Sequence, residues 1–352
     1  MIGFIMTVGA LRYLPTASIA HCQAEGGPPM MTPRENYLAY LNHEPSDWIP
    51  TFAIDFTILG SQREWWENGP LTGGYDAFGN NWIPTDSAAG QPALDPTIIP
   101  LDDVCDWEDK VVFPDLDAID WKAFAEQELA LADRENKVIE YHTWNSVFLR
   151  LGHLLTFEGA LCAFYEEPEA TKALCDAIAD YKVALLERVA KWIKPDAYVH
   201  YDDVATGISL FMSPEIYREF IKPAHKKMND AAIGLGIIPE IHVCGYCTDI
   251  IGDIIDEGSV AWQSAQPCND LDAILQQYGD RLSVLGGYDT QGKPGHDDAT
   301  DEEIAVEVHR CLDQYGRYGH SYGFMGFRLG DMRDPRILGG AYQYAQELAA
   351  AK

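Results

Sequence analysis

The sequence predicts an α/β chain folded as a single (β/α)8 barrel with a long insertion after the first strand. Three observations predict it. From Met31 onward, short apolar runs alternate with long amphipathic helical patterns, which implies a parallel sheet. No G-x-G-x-x-G turn follows the first run, which counts against a dinucleotide-binding fold. A chain of 352 residues can bury one large barrel core.

Residues 1–30 read as a leader or an over-called start. They lack a basic segment ahead of their apolar run and are too short in apolar stretch to span a membrane. At Met31 the pattern changes. Thr32 is placed to cap a helix, Pro33 suits its first position and Glu35 closes a capping box. The first strand is expected at Ile49–Ile54, ending at Asp55. The stretch from about 57 to 118 is rich in Gly, Pro and Trp and includes Asp76 to Trp82. It is too long for a simple connection and reads as an insertion that closes over a site.

Helical pattern resumes at 119–134, and Val138–Tyr141 is the second strand. From Pro168 to about Lys194, Ala170, Leu174, Ala177, Ile178, Tyr181, Leu185, Val189 and Trp192 share one face at helical spacing. Further strands are expected at Ala197–His200, Ile238–Val243, Val260–Gln263, Leu282–Leu285 and Tyr322–Met325. Ser213, Thr300 with Glu303, and Asp334-Pro335 are placed to open helices, and Gly234 and Gly236 to stop one. That makes seven strands, with an eighth expected inside the insertion or near 148–156.

The chain has 25 basic and 55 acidic residues, a formal net charge of −30. A nucleic-acid backbone needs a basic footprint, and so does an anionic membrane surface, so both partners are disfavoured. Eight cysteines in a chain this long need not be staples, and they point to a reducing compartment, the cytoplasm. Cys162 and Cys175 fall in helical patterns and are expected as core residues.

Barrel sites collect at the carboxyl ends of the strands. Those ends carry Asp55, Trp144 and Asn145, Tyr201, Asp202 and Asp203, His242 and Cys244, Gln263, Tyr288 and Asp289. The sharpest pattern is Glu240-Ile-His242-Val-Cys244-Gly-Tyr-Cys247. Alternate strand residues face one side, so His242 and Cys244 project together, ~6.6 Å apart along the strand. An imidazole and a thiolate converging there suit zinc. The C-x-x-C spacing of Cys244 and Cys247 also fits a redox pair or a structural coincidence. Cys247 is a further ligand candidate, and His320, Cys268 and Glu240 stay open as the last one.

Several stretches resemble the uroporphyrinogen decarboxylase superfamily. They are Tyr201-Asp202-Asp203, Ser213-Pro214-Glu215-Ile216-Tyr217-Arg218-Glu219-Phe220 with Lys222-Pro223, Phe157-Glu158-Gly159 leading to Glu167-Pro168-Glu169, and Gly286-Gly287-Tyr288-Asp289. The resemblance spans about residues 32–345 and implies a (β/α)8 barrel. The decarboxylases of that superfamily carry an arginine-rich amino-terminal segment, whereas Asn42 to Pro50 here has no arginine. The corrinoid-dependent methyltransferases carry a His-x-Cys zinc pair, which His242 and Cys244 match, and a later cysteine, which 318–327 lacks.

The resemblance therefore implies a zinc-dependent methyltransferase of the O-demethylase or methylamine type. Its methyl group would move between a small methylated substrate and methylcobalamin, a corrinoid carried by a partner protein. Asp202, Asp203, Asn145 and Asp289 would orient the substrate or shuttle a proton, while Trp144, Tyr201, Tyr288 and Asp55 would line its pocket. No D-x-H-x-x-G corrinoid loop is present in the chain. Two rivals follow from the same residues: a metal-free decarboxylase of polycarboxylates, and a non-catalytic protein that binds the corrinoid partner.

Overall fold

The computed structural model describes residues 30–60, 67–70, 72–85, 92–328 and 331–351. The expected leader, apart from Met30, lies outside the described residues.

Seven parallel strands form the main sheet: β1 (Phe56–Leu59), β5 (Val138–Thr143), β6 (Ala197–Tyr201), β7 (Ile238–His242), β8 (Ala261–Ala265), β9 (Ser283–Gly287) and β10 (Tyr322–Met325). They lie in that order, each beside its predecessor. The segment ahead of β1 closes the ring. Thr51 bridges Phe324 in parallel, the Phe52 amide donates to the Phe324 carbonyl at 2.9 Å, and the Phe324 amide to the Pro50 carbonyl at 2.8 Å. Residues 50–52 thus cover β10 while β1 covers β5, and the fold is an α/β barrel of the (β/α)8 kind.

Alternation along each strand fills the interior. Phe56, Ile58, Val138, Ala197, Val199, Tyr201, Ala261, Leu285 and Met325 form one buried cluster inside the ring, capped from the amino end of the chain by Tyr37 and Tyr40. A larger cluster lies between the strands and the surrounding helices.

Two expectations on strands are corrected. The first strand is Phe56–Leu59 and not Ile49–Ile54, because residues 52–55 turn before the chain becomes extended. No eighth strand lies near 148–156. That stretch is helical, Val147–Leu155 then Phe157–Glu166, the two meeting at 102°. The insertion instead holds a small antiparallel sheet of β2 (Gly74–Tyr75), β3 (Asn81–Ile83) and β4 (Ala93–Leu94).

The helices follow their local signals. Thr32 and Glu35 form a capping box on Pro33–Leu41, and Thr300 and Glu303 form another on Asp301–Tyr315. Ser213 accepts from the Ile216 amide, and Asp334 caps Pro335–Ala350. On Pro168–Trp192, Leu174, Ile178, Tyr181, Leu185 and Val189 are buried, while Ala170, Ala177 and Trp192 flank that stripe. Cys175 is buried as expected, but Cys162 is exposed on its helix. All seven cysteines among the described residues are free thiols. No single helix among the described residues is long and apolar enough to cross a membrane.

Buried cations pin the insertion to the barrel. Lys182 pairs with Glu67 and donates to the Trp144 carbonyl at 3.0 Å. Arg150 donates to the Glu67 carbonyl at 2.7 Å and stacks over the Phe78 ring at 3.8 Å. The insertion is therefore positioned against the carboxyl end of β5, where Trp144 and Asn145 stand.

Candidate metal centre

The pairing of β6 with β7 builds the site. Tyr201 lies opposite His242 in the ladder, so two residues further on Asp203 comes beside Cys244. The Cys244 amide donates to the Asp203 carboxylate at 2.7 Å, and the Cys244 sulfur lies 3.5 Å from His242 Nε2. The Asp203, His242 and Cys244 donor atoms all fall within 4.8 Å of one another. Strand β8 contributes from the other side. A bulge between Gln263 and Ala265 puts Ser264 at φ +64° and brings its hydroxyl to 3.2 Å from the Cys244 sulfur.

The electrostatics of the three groups suit a cation. Burial, with Asp203 close by, pushes the Cys244 thiol well above its usual range. Burial, with Asp202 adding, pushes Asp203 up to about 7, against the hydrogen bond from the Cys244 amide. Burial holds His242 neutral. A divalent cation at this point would favour the thiolate, the carboxylate and the neutral imidazole together. The nitrogen, sulfur and oxygen donor set fits zinc.

An aromatic stack supports the imidazole. The Tyr201 ring lies 3.9 Å from His242 at an interplanar angle of 17°, and Trp144 lies 4.2 Å from Tyr201. Behind it, a polar chain fills the barrel interior. The Tyr201 hydroxyl and His142 Nδ1 are 2.7 Å apart, and His142 Nε2 is 2.7 Å from Glu140. Gln263 donates to both Glu140 (3.2 Å) and Glu240 (3.1 Å). Burial raises both glutamates, so the pair keeps a proton where exposed carboxylates would not.

The expected site residues separate into two groups. Asp203, His242, Cys244, Tyr201 and Trp144 come together. Asn145 stands next to Trp144 with φ +53° and donates from its amide to Asn68 of the insertion. The others are placed elsewhere. Asp202 points to the opposite side from Asp203, as strand alternation requires. Its carboxylate accepts from the amides of Val147, Phe148 and Leu149 at 3.1, 2.9 and 2.8 Å and lies 2.7 Å from His225 Nε2. Asp55 accepts from Trp48 Nε1 and the Thr51 amide and stiffens the turn before β1. Tyr288 donates to the Pro294 carbonyl, and Asp289 caps its own turn at Gly292.

The open ligand positions are likewise answered by the fold. The Cys247 sulfur points back at its own turn, 3.5 Å from the Gly245 carbonyl, and not at His242. Cys268 is exposed. His320 precedes β10 and so lies at the amino end of the strands. Glu240 sits one layer deeper, bonded to Gln263. Sequence reading placed Asp203 among the catalytic candidates and not among the candidate ligands, and missed Ser264, His142, Glu140 and Asn68 as neighbours. The β6–β7 register was the missing signal for Asp203.

His225 is held between Asp202 and Glu257, with Tyr217 donating to Glu257 at 2.6 Å and the His200 ring 4.7 Å away at a 60° tilt. Against the cost of burial, its two carboxylate partners push it up to about 9. A folded pKa raised above the unfolded value of ~6.5 stabilises the fold below that pH, and the contribution is lost as pH rises through about 9. Urea midpoints should therefore fall between pH 6.5 and 9 in the wild type, and fall less in His225→Gln.

Gly245 makes the turn after Cys244 at φ +91°, and a Cβ there would meet the Thr206 carbonyl at 2.4 Å. Gly245→Ala should cost at least ~1–3 kcal/mol and weaken metal binding together with stability, as read by urea denaturation and zinc titration.

A family model of uroporphyrinogen decarboxylase matches residues 148–325, just over half of the chain. The chain belongs to the uroporphyrinogen decarboxylase family. The matched stretch runs from the helix after β5 to the end of β10 and contains Asp203, His242, Cys244 and Ser264. This family member is also similar to a methylated-thiol–coenzyme M methyltransferase of Methanosarcina mazei. The two are 25% identical over 172 residues, 47% of this chain and 43% of the relative. The chain thus matches less than half the length of that relative. A solved methyltransferase from Methanosarcina mazei superposes with a TM-score of 0.70 at 14% identity, covering 90% of this chain and 99% of that one. That likeness shows the shared barrel fold.

Proposed function

We propose that this family member is a zinc-dependent methyltransferase that moves a methyl group between a small methylated substrate and a corrinoid carried by a separate protein. The observation that carries the reading is the convergence of Asp203, His242 and Cys244 at the carboxyl end of the barrel. Similarity to a relative named for methyl transfer to coenzyme M supports it.

When bound, zinc supplies Lewis acidity to the oxygen or sulfur that carries the methyl group. The chain's own residues do the rest. Asp203, His242 and Cys244 hold the ion, and Ser264 bonds to the Cys244 sulfur and fixes its direction. Tyr201 fixes the His242 ring by stacking. Its hydroxyl, bonded to His142 and through it to Glu140, can hold or hand over a proton beside the substrate heteroatom. Trp144 and Asn145 wall the substrate, with Asn68 of the insertion closing over them. Asp202, Asp289, Tyr288 and Asp55 take no part in binding.

The test is methyl transfer with zinc-loaded protein, reduced cobalamin and a panel of methyl ethers and methyl thioethers, followed by the corrinoid absorbance. Wild type should methylate the corrinoid from at least one of them and Tyr201→Phe more slowly, with zinc content unchanged. Wild type that binds zinc yet transfers no methyl from the panel, and releases carbon dioxide from a polycarboxylate instead, would return the reading to decarboxylation.

A further inference from the structure

Arg333 stands on the segment that follows β10, at the same end of the barrel as the metal centre. Phe327 and Met332 of that segment pack against the interior cluster that holds Trp144 and Tyr201. The arginines on either side are paired. Arg328 bonds to Asp334 at 2.5 Å, and Arg336 bonds to Asp334 at 2.9 Å and to Asp301 at 2.6 Å. Arg333 is not. Its backbone amide is taken by Asp331, but among the described residues it is the one arginine whose side chain makes no hydrogen bond or ion pair. Its Nη2 is buried without a partner. Partial burial lowers its pKa to about 10, against the opposing charge of Asp331.

Among the described residues, no carboxylate pairs with this guanidinium. The residue as a whole is half-buried, and a buried donor atom without a partner costs stability unless an anion completes it. The guanidinium is a planar fork of donors that matches the two oxygens of a carboxylate or sulfonate. We propose that Arg333 binds the acid group of a small organic anion at the barrel mouth, so that the methylated substrate or the acceptor carries a carboxylate or sulfonate. Naming that anion as substrate or acceptor rests on the methyltransferase reading, but the binding site does not. A single free arginine matches one acid group, not the many of a polycarboxylate.

The experiment is anion binding to chelator-treated protein, which takes zinc and methyl transfer out of the measurement. Benzoate, methanesulfonate and inorganic phosphate are titrated separately into wild type, Arg333→Gln and Arg333→Lys, by calorimetry and by thermal shift. Benzoate or methanesulfonate should bind wild type, bind Arg333→Gln roughly tenfold or more weakly, and bind Arg333→Lys between the two. Melting temperatures in anion-free buffer show whether the variants are folded. The proposal is overturned if the organic anions bind wild type and Arg333→Gln alike, if neither binds wild type, or if phosphate alone is distinguished.

Discussion

Asp202→Ala should destabilise the protein by about 3–5 kcal/mol, while Asp203→Ala next to it should cost far less, the single hydrogen bond from the Cys244 amide being offset by the relief of a buried carboxyl. The two carboxylates differ because alternate positions at a strand end face opposite ways. Asp202 satisfies three amides at the start of the helix Val147–Leu155 and the buried His225. Its removal leaves those donors in an apolar setting with nothing to accept them. A loss of that size is a large part of the 5–15 kcal/mol that holds a typical domain together. Asp203 is a buried carboxyl whose charge the fold disfavours, being raised to about 7 by burial first and Asp202 second. Its removal relieves that cost, against the loss of the bond from the Cys244 amide, and takes away one of the three proposed ligands. Urea denaturation of the metal-free proteins checks the contrast. Equal losses in the two variants would mean that the assignment of structural and ligand roles is wrong.

Cys244→Ala should abolish stoichiometric zinc binding and methyl transfer without unfolding the chain. The sulfur is the softest donor in the cluster, and its loss should exceed the ~10–100-fold typical of changes one layer out from a metal. Ser264→Ala is the matching outer change. It removes the hydroxyl 3.2 Å from the sulfur and should fall within that smaller range. Cys247→Ala should bind zinc like wild type, because its thiol lies against its own turn. Zinc titration against a chromophoric chelator reads all three.

Much of this barrel was legible in local patterns. Six of the seven strands appeared as short apolar runs, and the helix starts at Thr32, Ser213, Thr300 and Asp334 followed from capping chemistry. The pairing of His242 with Cys244 followed from the two-residue period of a strand. What could not be read was anything that depends on register. Asp203 becomes a neighbour of Cys244 only because Tyr201 pairs with His242 across β6 and β7. Ser264 arrives through a bulge that no residue in Ala261–Ala265 announces. The first strand was misplaced because Ile49–Ile54 is apolar whether it extends or turns, and the turn is set by Asp55 gathering Trp48 and Thr51. Cys247 looked like a ligand because spacing alone does not say which way a turn points its thiol. The polar ends Tyr288 and Asp289 were drawn into the site by a rule about strand ends that holds for the barrel as a whole but not for each residue.

The measurement that bears most directly on the metal centre is zinc-edge X-ray absorption on the zinc-loaded protein, wild type beside Asp203→Ala. One sulfur at ~2.3 Å with nitrogen and oxygen neighbours at ~2.0–2.2 Å, and one fewer oxygen or no bound zinc in the variant, is the predicted result. A shell with two sulfurs, a shell unchanged by Asp203→Ala, or a wild-type protein that takes up no zinc would contradict a site built from Asp203, His242 and Cys244.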